Sequence, residues 1–215
     1  MLTFYTIKMS MLFNSYNRQV MHGLLLGDGH LHKNKGKKTN PLYTQTFGQH
    51  YELFAQNVFY IFKDFCTTKG LYTYKVKSGI NSPFYQRYIV RTKNLEILNE
   101  FFNVYYSLNS QGKYIKILPL DIENILTPIV LAFFVMSDGN YHKQHKIIRL
   151  CTNNFSKTEV ELLSKAILNK FNINNRIEHV RKNQYIIVIR RLQVPIFQSL
   201  IKDYIIPSML YRIGL

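Results

Sequence analysis

The hydrophobic pattern of this 215-residue chain makes two passes through one order of elements: helix, strand, strand, helix, strand, strand, helix. In the first pass an apolar segment predicts a helix over about 14–27. A hairpin follows through His30-Leu31-His32 and Leu42 to Phe47. Then come a helix over 50–66, strands near 71–77 and 85–92, and a helix over 94–106. The second pass gives a helix over 127–137, a single strand over 146–152 where the first pass has two, and a helix over 157–170. Strands over 176–181 and 184–190 and a helix over 194–204 complete it. Ser156 and Glu159 have capping-box spacing at one helix start. Residues 107–126, which carry Gly112 and Pro119, read as a linker between the passes.

The two passes overlay. At a constant offset of 99, Arg91, Leu95, Ile97, Leu98, Phe101, Phe102 and Tyr105 match Arg190, Val194, Ile196, Phe197, Leu200, Ile201 and Tyr204. An internal duplication follows, with units expected at 1–112 and 113–215, a first core at 13–106 and the linker from 107. Both first helices also end alike. Met21-His22-Gly23-Leu24-Leu25-Leu26-Gly27-Asp28-Gly29 and Leu131-Ala132-Phe133-Phe134-Val135-Met136-Ser137-Asp138-Gly139 each close on a small residue, Asp and Gly. The glycine is the expected helix stop, in the left-handed conformation. A carboxylate there faces the negative end of the helix dipole, a placement disfavoured by roughly 0.3–1 kcal/mol. A chain with only 12 acidic residues does this twice. One such Asp-Gly reads as a turn; two in matched settings point to chemistry.

These nonapeptides resemble the motif of the LAGLIDADG homing endonucleases, in the single-chain form with two motifs. Leu126-Thr127-Pro128, Phe155-Ser156-Lys157-Thr158-Glu159-Val160-Glu161 and Ile206-Pro207-Ser208-Met209-Leu210-Tyr211-Arg212 are similar to the yeast mitochondrial intron-endonuclease subgroup, so the resemblance covers most of 14–215. It departs at the sixth motif position, Leu26 and Met136, which is not catalytic in that family, and Phe133 replaces a usual small residue. The implied fold is α+β: two pseudo-symmetric αββαββα units, a saddle of antiparallel sheets and motif helices packed at the centre. The resemblance implies that Asp28 and Asp138 are catalytic and hold Mg²⁺, for which Mn²⁺ can substitute, aided by the carbonyls of Gly27 and Ser137. It also places active-site lysines near Lys116 and Arg212. Arg212 is a departure, because arginine cannot act as a base at neutral pH, though it can clamp phosphate. A surface-charge role competes at both positions.

Carboxylate-held divalent metals suit phosphodiester hydrolysis, and Mg²⁺ takes few protein ligands. Two aspartates on packed helices make a minimal site of that kind. Gly23 and Gly27, four apart, would let the partner backbone approach, against the smaller surfaces of Ala132 and Ser137.

Composition adds a partner. The formal charge of +16 is too large for a domain of this size to carry comfortably without a polyanion. Double-stranded DNA is the first choice, intron RNA an alternative, and a membrane surface a distant one, since no basic amphipathic helix stands out. No apolar run reaches membrane-spanning length. Lys33, Lys35, Lys37 and Lys38 lie in the first hairpin loop and suit phosphate contact or solvation. Lys75, Lys77, Arg87, Arg91, Arg149, Arg181 and Arg190 alternate with apolar residues along strands, from which some would reach base edges in the major groove. His30, His32, His142 and His145 follow the Asp-Gly turns, without the cysteines that usually mark zinc sites. Cys66 and Cys151 are far apart and read as free thiols. A wealth of Lys, Asn, Ile, Tyr and Phe without Trp suggests an AT-rich organellar genome, and the N-terminus resembles no secretory or transit peptide.

The expected function is a monomeric, site-specific double-strand DNA endonuclease of a mobile intron, acting in a mitochondrion or other organelle. An RNA maturase and a non-cleaving DNA-binding protein on the same scaffold are the alternatives.

Overall fold

The structure is a computed structural model that describes residues 13–33, 39–77, 79 and 82–215. Packing divides these into two compact units. One comprises the described residues up to Asn17 together with Asp28–Phe102; the other comprises Arg18–Gly27 with Asn103–Leu215. Helix α1 (Ser15–Leu26) therefore begins in the first unit and ends in the second.

The first unit is built on a four-stranded antiparallel sheet of β1 (His30–His32), β2 (Leu42–Gly48), β3 (Tyr72–Lys77) and β4 (Phe84–Arg91), in spatial order β1-β2-β4-β3. Strand alternation sends Leu31, Tyr43, Phe47, Tyr88 and Val90 to one buried face. Helix α2 (Glu52–Phe62) contributes Phe54, Ala55, Val58, Phe59 and Phe62 to that core. Phe13 joins it, with its ring centroid 5.1 Å from Phe65 and 5.9 Å from Phe101.

The second unit repeats the topology. Strands β7 (Gly139–His142), β8 (Ile147–Cys151), β9 (Asn175–Arg181) and β10 (Gln184–Ile189) pair in the order β7-β8-β10-β9. Ile148, Leu150, Ile187 and Ile189 are fully buried. Helix α6 (Lys157–Phe171) starts with the expected capping box: Ser156 Oγ accepts from the Glu159 amide, and Glu159 accepts from the Ser156 amide at 2.7 Å. Helix α3 (Leu98–Tyr105) and helix α7 (Val194–Ile201) are the offset-99 counterparts. The latter starts one turn earlier, where Pro195 is suited to the first helical turn.

Two expectations are corrected. The linker is structured: it holds a hairpin of β5 (Tyr106–Leu108) and β6 (Tyr114–Lys116), then the short helix α4 (Ile122–Ile125). Gly112, at φ 66°, makes the hairpin turn. The motif glycines also do not stop their helices in the left-handed conformation. Gly139 is extended, at φ −107° and ψ 161°, because helix α5 (Pro128–Asp138) runs directly into β7. A side chain is excluded there by proximity, since a Cβ would lie 2.8 Å from both Cα and O of Val135. Gly29 is likewise not among the glycines of positive φ.

Candidate metal centre and nucleic-acid interface

The motif helices meet within the second unit. A Cβ on Gly23 would fall 2.5 Å from the Val130 carbonyl oxygen and 2.6 Å from Phe133 Cβ. One on Gly27 would fall 2.5 Å from Ser137 Oγ and 3.4 Å from Asp138 Cβ. The expected small contact at Ser137 is present. The atoms nearest Gly23, however, belong to Val130, Phe133 and Phe134 rather than to Ala132. Thr127 sets the start of α5, accepting from the Val130 amide at 3.2 Å and donating to Gln19 Oε1 on α1 at 2.7 Å.

This packing seats Gly27, the residue before Asp28, against the end of α5. Lys116 Nζ, at the end of β6, donates to the Gly27 carbonyl at 2.8 Å. The segment after Lys116 is fastened by Glu159 Oε1, which accepts from the Leu118 amide at 2.8 Å. One carboxylate thus caps α6 and anchors the strand that carries the lysine. In the second motif Arg212, from the 3₁₀ segment Pro207–Ile213, donates to the Gly139 carbonyl. The two cations treat their motifs differently: Lys116 holds the carbonyl before one aspartate, and Arg212 the carbonyl after the other.

Asp28 is exposed and Asp138 half-buried. Sequence reasoning missed the surroundings of Asp138. One step beyond the Gly139–Leu150 pair, the sheet register brings Cys151 opposite Asp138. Burial first, and then the negative Asp138, push the Cys151 thiol up to about 11, so it stays protonated and can donate to the carboxylate. Asn140 Nδ2 lies 3.7 Å from Cys151 Sγ. Cys66 and Cys151 are both free thiols. Among the described residues no three His, Cys, Asp or Glu side chains converge. Within the second unit the Asp138 carboxyl and the Gly27 backbone, whose added Cβ would lie 3.4 Å from Asp138 Cβ, offer oxygen donors of the kind a hard divalent cation takes.

The basic residues sort by sheet face. In the first sheet Arg91 pairs with Thr44, and Arg87 with Gly48 and Tyr74, all opposite the α2-facing side. Lys75 and Lys77 pair with Gln86 and Phe84, which share the face of Tyr88. Lys77 Nζ lies 4.5 Å from the Phe84 ring centre. The two lysines therefore do not share the open face with the two arginines. In the second sheet Arg149 lies between Asn140 and Val188 on the face turned away from Ile148 and Leu150, where Ile147, Ile186 and Val188 form a buried cluster, and Arg176, which carried no distinguishing signal in the sequence, flanks Val188 from the other side. Arg149 Nε is buried with no hydrogen-bond partner among the described residues. Arg181 is steered by Gln184 Oε1 at 2.9 Å, and Arg190 is exposed just past β10. Lys33 turns onto its own unit, donating to Asn99 Oδ1 at 3.1 Å. Lys35, Lys37 and Lys38 lie outside the described residues. His142 and His145 stack on each other with ring centres 4.7 Å apart, while His30 and His32 are exposed. No helix among the described residues is long and apolar enough to cross a membrane.

Comparison with known proteins agrees with this geometry. The chain is 32% identical over 199 residues to the cytochrome b mRNA maturase bI2 of Saccharomyces cerevisiae, covering 91% of this chain. It spans about half, 46%, of that relative's length. It is 37% identical over 114 residues, 51% of this chain and 48% of the other, to a probable intron-encoded endonuclease 1 of Wickerhamomyces canadensis. The homing endonuclease I-WcaI, solved bound to its DNA recognition sequence, shares the fold with a TM-score of 0.82 at 24% identity, over 94% of this chain and 87% of that one. The model of the LAGLIDADG DNA endonuclease family matches residues 18–197, a span that includes both motifs, and the chain belongs to that family.

Proposed function

We propose that this protein is a site-specific double-strand DNA endonuclease encoded by a mobile intron, acting as a monomer on a long target in a mitochondrion. One observation carries the reading: each of two interlocked motif helices hands the chain to an aspartate, and a basic side chain grips the backbone beside each. Asp28 and Asp138 would hold Mg²⁺ or Mn²⁺, with the Gly27 and Ser137 carbonyls as further oxygen donors. When bound, the metal supplies an acidified water and charge stabilisation at the phosphorus. Lys116 fixes the Gly27 carbonyl and brings positive charge to the phosphate. Arg212 offers a clamp without a removable proton. Arg87, Arg91, Arg149, Arg181 and Arg190 supply phosphate and base-edge contacts.

The test is a plasmid carrying the intronless gene junction, scored for supercoiled, nicked and linear forms. Asp28→Asn and Asp138→Asn are each expected to abolish linear product in Mg²⁺ while leaving binding intact. Wild-type linearisation by either variant rules the mechanism out. A second reading, an intron RNA maturase, is favoured by the similarity to the yeast maturase over 91% of this chain.

A further inference from the structure

The open face of the first sheet is indented at its β3 edge. A groove of about 460 Å³ is lined by Thr67, Thr68, Tyr72, Tyr74, Ile89 and Arg91. Its construction follows from the topology. The chain after α2 runs beside the end of β4, joined by the Thr67 amide to the Arg91 carbonyl at 3.1 Å, before β3 begins. Thr67, whose amide and hydroxyl both reach the Arg91 carbonyl, therefore sits beside Arg91 at one end of the groove, and Ile89 lies beside its pairing partner Tyr72. Tyr72 and Tyr74 stand on the same side of β3 with ring centres 6.1 Å apart and planes 30° apart. Tyr72 is 53% exposed although aromatic.

Ring faces flanked by a guanidinium bind the π-face of a base. A stacked duplex hides those faces and offers edges alone, so the groove's chemistry matches a nucleotide that has left its helix. The volume lies within the range of small-ligand sites. The hydroxyl of Thr67 donates to the Arg91 carbonyl and that of Thr68 to the Gly70 carbonyl at 2.6 Å, which leaves both oxygens able to accept from a ribose 2′-OH. We propose that this groove holds one unpaired RNA nucleobase, stacked on Tyr72, with Arg91 on the adjoining phosphate. The inference rests on the open face being a nucleic-acid surface and adds an RNA subsite to it.

The probe is an RNA hairpin with a single bulged 2-aminopurine, beside the same hairpin fully paired and a DNA copy of the bulge. Wild-type protein is expected to prefer the bulged RNA tenfold or more over both and to quench its fluorescence. Tyr72→Leu, on an exposed edge-strand position, should remove preference and quenching with an unchanged circular dichroism spectrum. Equal binding of bulged and paired RNA, equal binding of the DNA bulge, or full quenching by Tyr72→Leu would overturn the proposal. Plasmid cleavage is scored separately, so its absence strikes the endonuclease reading and leaves an RNA preference standing.

Discussion

The Lys116 ammonium lies 2.8 Å from the Gly27 carbonyl oxygen, 89 residues earlier in the chain. A residue of the supposed linker thus reaches the backbone atom next to Asp28. Lys116→Met should leave the fold intact, since the side chain is half-exposed, and slow cleavage of one strand on the order of 10²-fold, as removal of a positioned donor does elsewhere. Nicked plasmid should accumulate before linear product. Lys116→Arg should recover part of the rate, because Arg keeps the charge; equal rates for the Met variant and wild type would show that the contact is structural.

Gly23 tolerates nothing larger. Its missing Cβ would meet the Val130 carbonyl at 2.5 Å, and backbone cannot swing aside as a side-chain end can. Gly23→Ala should cost about 3 kcal/mol in denaturant unfolding, the upper range for overpacking. Gly48→Ala is the control: its nearest neighbour is Tyr51 at 3.7 Å, and Gly48 is extended, at φ −72°, so stability should change by less than about 1 kcal/mol.

His22 gives the second unit a pH dependence. Burial chiefly, with Arg18 adding and Asp121 opposing, lowers its pKa to about 4. Its Nδ1 sits 3.2 Å from the Tyr105 hydroxyl, which burial keeps protonated and able to donate. The folded state therefore binds a proton at lower pH than the unfolded chain. Stability from this residue is full above about pH 6.5 and falls as the pH drops toward 4, by up to about 3 kcal/mol. His22→Asn, which retains an acceptor, should flatten the unfolding profile between those limits. Parallel profiles for the two proteins would remove His22 as the cause.

Sheet face should decide which cations bind DNA. Arg87→Ala with Arg91→Ala should weaken duplex binding and reduce the salt slope by about 0.9 for each phosphate no longer neutralised. Lys75→Ala with Lys77→Ala should change the slope little, because those side chains lie on the other face. Filter binding across a salt series separates the two outcomes.

The main helices were legible because their apolar steps are regular and their caps are local, as at Ser156 and Glu159. Sheet faces were not. A one-residue change of register moves every side chain to the opposite face, and the cross-strand partner that fixes register is remote in sequence. Lys75 and Arg87 therefore looked alike along the chain. The β5–β6 hairpin escaped because each strand is three residues long, too short to show alternation. Asp28, Asp138 and Lys116 were marked by their setting and by family resemblance. Cys151 carried no signal of its own, since its place beside Asp138 exists only once β7 and β8 pair.

Interlocked glycines also constrain history. Two copies of a duplicated unit accumulate changes separately wherever each packs against itself. Gly27 and Ser137 cannot drift that way, because the Ser137 side chain already fills the space a larger residue at 27 would need. Their sizes are negotiated jointly: growth at one position must be met by shrinkage at the other. The junction before the two aspartates is where the repeats evolve as one object, and where a graft of one half onto a foreign partner must first be matched.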